Sequence, residues 1–220
     1  EFINQLGHDL KNPLNPLVNL LPIIERGEKD PDKKKMLKII NRNVGYMKNL
    51  VTKTIELAKL NSQNIKLNIE DINIFTEVNK VIEINKIMLD ENNIEVKNNI
   101  PKNLNIQVDK IRLEEVFNNL LNNSLKYTYN YGKIVINAYS EDDFVKISMK
   151  DNGIGMNQDQ LSHVFDEFYK ADASRHDFDS SGLGMSICKK IIEKHGGKIW
   201  VESEGHNKGT TFYFMIPNKN

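Results

Sequence analysis

The chain has little of several things that would point to particular chemistry. It has a single cysteine, Cys188, which excludes an internal disulfide and a multi-cysteine zinc site. That cysteine lies in an apolar helical period, where a small buried filler is expected rather than a reactive thiol. No apolar run approaches the ~20 residues of a membrane span, and no signal peptide opens the sequence. Net charge is also missing: 30 Lys and Arg balance 30 Asp and Glu. There is therefore no overall electrostatic pull toward nucleic acid or an anionic membrane, and neither is expected as a partner of this portion. No internal repeat and no Gly-Lys-Ser/Thr phosphate loop occurs. An initiator methionine is absent too, and the sequence starts inside a helical pattern. The expectation is a cytoplasmic portion of a longer protein, with membrane anchoring of the remainder left open.

What is present begins with two helical patterns. Ile3, Leu6, Leu10, Pro13, Leu17, Leu20 and Ile24 recur at steps of three and four, the seam of a packed helix over residues 2–26. Pro13, Pro16 and Pro22 interrupt it, so it is expected to bend. After a charged turn at 27–32, residues 33–61 form a second helix with two neighbouring stripes. One holds Leu37, Ile40, Val44, Met47, Val51 and Ala58; the other holds Met36, Ile39, Tyr46, Leu50, Leu57 and Leu60. Two stripes are wider than one hairpin partner covers. A dimeric four-helix bundle, two hairpins side by side, is the economical solution; a long helix lying on its own second domain is the alternative.

From residue 62 the period changes. Ile65, Leu67 and Ile69 alternate as a short strand, and 72–89 is helical. Short strands follow at 94–96 and 106–108, then a helix over 110–127 with Asp109 as its cap. Strands at 133–139 and 144–149, a polar stretch at 157–181, a helix at 184–195 and strands at 198–202 and 210–216 complete the chain. The pattern predicts an α+β domain with helices covering one face of a largely antiparallel sheet. The 157–181 stretch is long for a structureless loop in a compact domain, which points to a functional lid.

Four groups of residues carry candidate chemistry. Asp151-Asn152-Gly153-Ile154-Gly155-Met156 follows the 144–149 strand. A carboxylate at a strand end before two glycines serves either as a turn or as a nucleotide pocket, where the carboxylate accepts from an exocyclic amine and the glycines admit the base. Glu115, Asn119 and Asn123 are spaced four and four on helix 110–127, with Lys126 and Tyr127 a turn on. An amide oxygen is a hard ligand suited to Mg²⁺ on phosphates, and a lysine adds charge; a solvated face is the plainer reading. Ser181-Gly182-Leu183-Gly184-Met185-Ser186 opens a helix, where exposed N–H groups suit phosphate. His8 falls on the side of its helix away from the seam, beside Asp9, with Asn12 one turn further. It is either a surface histidine or an imidazole whose tautomer a carboxylate holds for nucleophilic attack.

Together these motifs resemble the histidine kinases of two-component signalling, over essentially the whole chain. FINQLGHDLKNPL (2–14) resembles the phosphoacceptor box and NLLNNSLKYT (119–128) the N box. DNGIGM (151–156) is similar to the first glycine box, VFDEFYK (164–170) to the Phe box and SGLGMS (181–186) to the second glycine box. The resemblance implies a dimerisation and histidine phosphotransfer domain over 1–61 and a catalytic domain over 62–220. The latter would be a Bergerat-type (GHKL) ATP-binding α/β sandwich with an ATP lid. It implies ATP and Mg²⁺ as cofactors, a homodimer, and the receiver domain of a response regulator as partner.

By the same resemblance His8 is the phosphoacceptor, Asp9 orients it and assists proton removal, and Asn12 positions a hydrolytic water. Asn123 coordinates Mg²⁺, with Asn119, Lys126 and Tyr127 on the nucleotide. Asp151 accepts from the adenine amine, Gly153 and Gly155 shape the base pocket, and Phe165 and Phe168 hinge the lid. Gly182, Leu183 and Gly184 meet the phosphates. Lys170 stands where an arginine is common, and Arg175 is a further lid candidate. Gly7 replaces the usual serine before the histidine, Asp9 the commoner glutamate, and Pro16 and Pro22 are extra. The implied activity is ATP-dependent autophosphorylation of His8 and transfer to an aspartate, with phosphatase activity toward the same partner. A mobile joint near 61–64 is expected. An amide at 119, where hydrolytic relatives of the fold carry glutamate, implies slow ATP hydrolysis. A degenerate nucleotide-binding scaffold and a phosphatase-dominant regulator are the alternatives.

Overall fold

The computed structural model describes residues 10–62, 65–171 and 181–218. The chain divides into two compact units: the described residues of Glu1–Gln63 with Glu167–Gly184, and those of Asn64–Asp166 with Met185–Asn220.

The first unit is built on a helical hairpin, α1 (Leu14–Gly27) and α2 (Pro31–Asn61). Leu10 and Lys11 are helical, Asn12 and Pro13 form a turn, and α1 starts after it. The expected interruption is therefore at Pro13, whose ring and missing N–H do not fit a helix interior. Pro22 is accommodated inside α1. Asp30 caps α2 by accepting from the Asp32 and Lys33 N–H groups, with Pro31 at the first helical position. That cap starts the helix two residues before the periodicity does. Leu14, Leu21, Val44, Ile55, Leu57 and Leu60 are buried. Leu17, Leu20, Ile24, Ile39, Ile40 and Met47 stay 45–55% exposed, so half of the wide apolar stripe is uncovered within one chain.

The second unit contains β1 (Ile69–Asn73), α3 (Ile74–Ile84), α4 (Lys86–Glu91), β2 (Glu95–Asn98), β3 (Asn105–Asp109), α5 (Lys110–Tyr127), β4 (Lys133–Glu141), β5 (Phe144–Asp151) and α6 (Gln158–His163). It continues with α7 (Gly184–Lys194), whose first residue closes the other unit's segment, then β6 (Lys198–Glu202) and β7 (Thr211–Pro217). Five strands form a sheet in the order β2-β4-β5-β7-β6; β1 and β3 pair separately. Only β2 with β4 is parallel within the larger sheet.

Alternation along the strands decides which sheet face is buried. Ile134, Ile136 and Ala138 of β4, Val145, Ile147 and Met149 of β5, and Phe212, Phe214 and Ile216 of β7 form one apolar layer. Against it lie Leu113, Val116, Phe117, Leu120 and Leu121 of α5 and Ile187, Cys188, Ile191 and Ile192 of α7. Phe117 meets Phe214 edge to face, 5.7 Å between centroids. Cys188 is buried filler, as its position in the apolar period predicts. The result is a two-layer α/β sandwich. Asp109 caps α5 by accepting from the Arg112 N–H, as expected.

Three elements differ from the sequence reading. The strand expected at 65–69 forms at 69–73, because it pairs with β3 in the register Ile69↔Asp109 to Asn73↔Asn105. The helix expected over 72–89 is divided at Asn85. Its buried side chain donates to the Val81 carbonyl and to Asn118 Oδ1, competing with the main-chain ladder. Within the polar stretch, α6 forms where Asn157 and Gln160 make a reciprocal capping box.

Candidate functional site

β5 ends at Asp151, a residue only 3% exposed. Its Oδ1 accepts from the backbone N–H groups of Gly153 at 2.9 Å and Thr210 at 3.1 Å. The Ser124 hydroxyl donates to Oδ2 at 3.4 Å. Burial pushes the Asp151 pKa above the ordinary carboxylate value, and these three hydrogen bonds oppose that shift. A carboxylate has about four acceptor sites. One remains beyond the three donors, as an exocyclic amine requires.

The turn after Asp151 admits no side chain at two places. A Cβ on Gly153 would stand 2.1 Å from the Tyr127 carbonyl oxygen. One on Gly155 would stand 2.1 Å from the Gly205 carbonyl, and Gly155 has a left-handed φ of +70° besides. The Ile154 N–H donates to the Tyr127 carbonyl at 2.9 Å. Ser124 and Tyr127 thus anchor the C-terminal half of α5 to the end of β5. Asn119, Asn123 and Tyr127 share one stripe of that helix, at spacings of four. Nδ2 of Asn119 is buried with no hydrogen-bond partner among the described residues. A native buried amide left so calls for a ligand or water. Glu115, on the same stripe, pairs with Arg112 at 2.9 Å. Lys126 is exposed, its Nζ 5.1 Å from the Tyr127 ring centroid. Phe165 packs edge to face on Phe212, 6.3 Å between centroids.

Sequence reasoning missed the β6–β7 connection. Ser203 Oγ accepts from the Met156 N–H at 3.0 Å and donates to the Gly209 carbonyl at 2.7 Å. The Gly209 N–H donates to the Gly153 carbonyl at 3.1 Å, and the Asn207 N–H to the Ile154 carbonyl at 2.7 Å. The signal was a run of turn residues, Ser203, Gly205, Asn207 and Gly209, which reads as an ordinary hairpin connection.

The remaining candidates are described within their own unit or lie outside the described residues. Phe168, Lys170, Gly182, Leu183 and Gly184 belong to the first unit. There Gly182 lies against the Phe168 backbone, Leu183 is buried, and Lys170 Nζ stands 5.2 Å from the Tyr46 ring centroid. Asn12 is exposed in the turn before Pro13. His8, Asp9 and Arg175 lie outside the described residues, as do two of the four residues of the expected joint at 61–64.

A buried carboxylate with spare acceptor capacity, followed by a glycine turn and tied through Ser124 and Tyr127 to a helix bearing a stripe of amides, is an arrangement whose chemistry suits an amine-bearing base. The family described as "Histidine kinase-, DNA gyrase B-, and HSP90-like ATPase" matches residues 108–220, and "His Kinase A (phospho-acceptor) domain" matches residues 1–63. The chain belongs to the sensor histidine kinases. Among curated sensor histidine kinases, WalK of Bacillus subtilis (strain 168) is 31% identical over 226 residues, covering 100% of this chain and 36% of WalK. The chain therefore spans about a third of that relative's length. The histidine kinase ThkA, solved in complex with the response regulator protein TrrA, superposes with a TM-score of 0.70 at 25% identity, covering 98% of this chain and 60% of ThkA. Full-length ShkA in complex with AMPPNP shares the fold, with a TM-score of 0.82 at 23% identity over 99% of this chain and 46% of ShkA.

Proposed function

We propose that this chain is a protein-histidine kinase that phosphorylates its own His8 from ATP and passes the group to an aspartate of a response-regulator receiver domain. The observation that carries the ATP side is Asp151, buried and held by Gly153, Thr210 and Ser124 with an acceptor site to spare. That carboxylate accepts from the adenine amine, and Gly153 and Gly155 let the base approach the backbone. The imidazole nitrogen of His8 attacks the γ-phosphorus, the bond from γ-phosphorus to the bridging oxygen breaks, and ADP leaves. Asp9 takes the proton that the other ring nitrogen loses, which leaves an uncharged imidazole ring carrying the anionic phosphoryl group as a phosphoramidate. Lys126 and the N–H groups of residues 182–184 hold phosphate charge.

The amides of α5 suit a metal-bound phosphate chain: the unpartnered buried Nδ2 of Asn119 is a donor for a phosphate oxygen, and Asn123 offers an oxygen of the kind Mg²⁺ prefers. Mg²⁺, when bound through Asn123, supplies neutralisation of the phosphate charge. Residues 1–61 act as the dimerisation and phosphotransfer domain and 62–220 as the catalytic domain, with Phe165, Phe168 and Lys170 serving the lid. The uncovered apolar stripe of α1 and α2 supports a homodimer. ThkA's complex with a response regulator supports the receiver partner. Among the described residues no helix is long and apolar enough to cross a membrane; a cytoplasmic setting for this portion accords with the receiver partner.

Incubation with γ-labelled ATP and Mg²⁺ tests the assignment. Acid-labile label on the wild-type chain and none on His8→Gln is expected. Full labelling of His8→Gln would refute the acceptor, and no labelling of the wild type would favour a nucleotide-binding scaffold. Asn12, exposed and four residues after His8, supports a second activity, hydrolysis of the phosphorylated partner. Loss of that dephosphorylation in Asn12→Ala, with labelling retained, is the corresponding result.

A further inference from the structure

The turn after Asp151 is held from both sides by a closed circuit of hydrogen bonds. On one side the Tyr127 carbonyl accepts from the Ile154 N–H at 2.9 Å. On the other the Ile154 carbonyl accepts from the Asn207 N–H at 2.7 Å. The circuit is completed by side chains 78 residues apart: the Tyr129 hydroxyl meets Asn207 Oδ1 at 2.5 Å. Asn207 has a left-handed backbone, φ +61°, which asparagine tolerates better than most residues. That conformation lets one residue bond Ile154 through its main chain and Tyr129 through its side chain. Both partners of the hydroxyl bond are exposed, with Tyr129 52% accessible, so neither is needed to fill the core.

We propose that Tyr129 and Asn207 form a clasp that joins the α5–β4 and β6–β7 loops and sets nucleotide affinity by pre-organising the Asp151–Met156 turn. The clasp presupposes the nucleotide role of Asp151 argued above. Without it the two loops hold the turn independently, and binding has to order them. Neither residue is assigned a part in phosphoryl transfer. The pair are positioning residues, and their loss changes affinity rather than the rate at saturation.

The test compares wild type with Tyr129→Phe, Asn207→Gly and the double variant in the whole chain. ADP affinity is read by calorimetry, KM and kcat from autophosphorylation with ATP, and thermal midpoints alongside. Glycine at 207 keeps the left-handed backbone without strain. Each single variant is expected to weaken ADP and raise KM about two- to tenfold, the range that one neutral hydrogen bond carries. The double variant is expected to lose no more than the weaker-binding single, because both changes remove one bond. In all of them kcat stays within about twofold.

If the wild type binds ADP and both singles bind it equally tightly, the clasp is refuted and the nucleotide reading stands. Multiplicative losses in the double variant, or a fall in kcat at saturating ATP, refute it as well. A wild type that binds no ADP overturns the reading of Asp151 and the clasp with it.

Discussion

His195 Nε2 accepts the backbone N–H of Asp109 at 3.0 Å, which ties the residue following α7 to the residue that caps α5. Nδ1 lies 2.8 Å from the Ile191 carbonyl, which can only accept, so Nδ1 carries the hydrogen. Both ring nitrogens are committed to the neutral form. Burial lowers the His195 pKa from 6.5, with Arg112 adding to the shift, while the Ile191 bond and Asp109 oppose it. Below the unfolded value the unfolded chain takes up a proton that the native chain refuses, so stability falls as pH drops from about 6.5. The thermal midpoint is expected to decline from pH 7.5 to 5.5. His195→Gln, which can keep one bond but cannot titrate, should flatten that decline. An equally steep decline in the variant would remove His195 as its cause.

Asp151→Asn separates base recognition from folding. The amide oxygen can keep the two backbone donors, Gly153 and Thr210, and the new NH₂ can donate to the Ser124 hydroxyl. No buried charge remains, and burial disfavours that charge in the free protein. The thermal midpoint of the nucleotide-free variant at pH 7 is therefore expected to equal or exceed that of wild type. Toward adenine, however, an NH₂ now faces an NH₂. ATP affinity should fall about 10- to 100-fold, the worth of a hydrogen bond to a charged group plus the repulsion replacing it. Calorimetry with ADP measures it directly. An unchanged affinity would mean that the base does not meet Asp151.

Much of this site was legible because its parts are short and local. Asp151, Gly153 and Gly155 lie within five residues. Asn119 and Asn123 follow helical spacing, and Asp109 is a cap with a recognisable successor. The braces were not legible. Thr210 reaches Asp151 across 59 residues and Asn207 reaches Tyr129 across 78, joined only once β7 pairs with β5. The strand placed at 65–69 was misread for a related reason. Its apolar alternation is real, but the partner strand, with its register ending at Asp109, decides which residues pair. Asn85 was hidden differently: a single buried side chain, bonded to Asn118 on another helix, divides a helix whose apolar period runs on unbroken.

Asn119 and Asn123 should respond differently to substitution. The Nδ2 of Asn119 is buried without a partner among the described residues, so the nucleotide-free protein bears the cost of desolvating it. Asn119→Leu, of similar shape, is expected to raise stability in chemical denaturation by about 1 kcal/mol while abolishing labelling by ATP. Asn123 is half-buried, and its expected service is to the metal. Asn123→Ala should leave stability and metal-free ADP binding nearly unchanged, yet slow Mg²⁺-dependent labelling about 100-fold or more. If metal-free ADP binding fell as far as the rate, Asn123 would be a base contact instead.

The apolar stripe of the hairpin gives the last expectation. Leu17, Leu20 and Ile24 follow one another at helical steps on α1, and Ile39, Ile40 and Met47 continue on α2, all about half exposed. Side chains of this size gain about 1.5–3 kcal/mol each on full burial, so six half-exposed on one hairpin represent a strong drive toward a second surface. A neighbouring copy offers the same apolar residues by two-fold symmetry, so that each contact between one residue and another is made twice. A lysine at the centre of such an interface would have to surrender its hydration with no carboxylate of the stripe to meet it. Leu20→Lys combined with Ile40→Lys is therefore expected to shift the chain from dimer to monomer in light scattering at micromolar concentration. The far-UV signal should persist, because both positions are solvent-facing within one chain. A wild type already monomeric at that concentration would assign the stripe to a different partner. A double variant still dimeric would place the dimer contact on another surface.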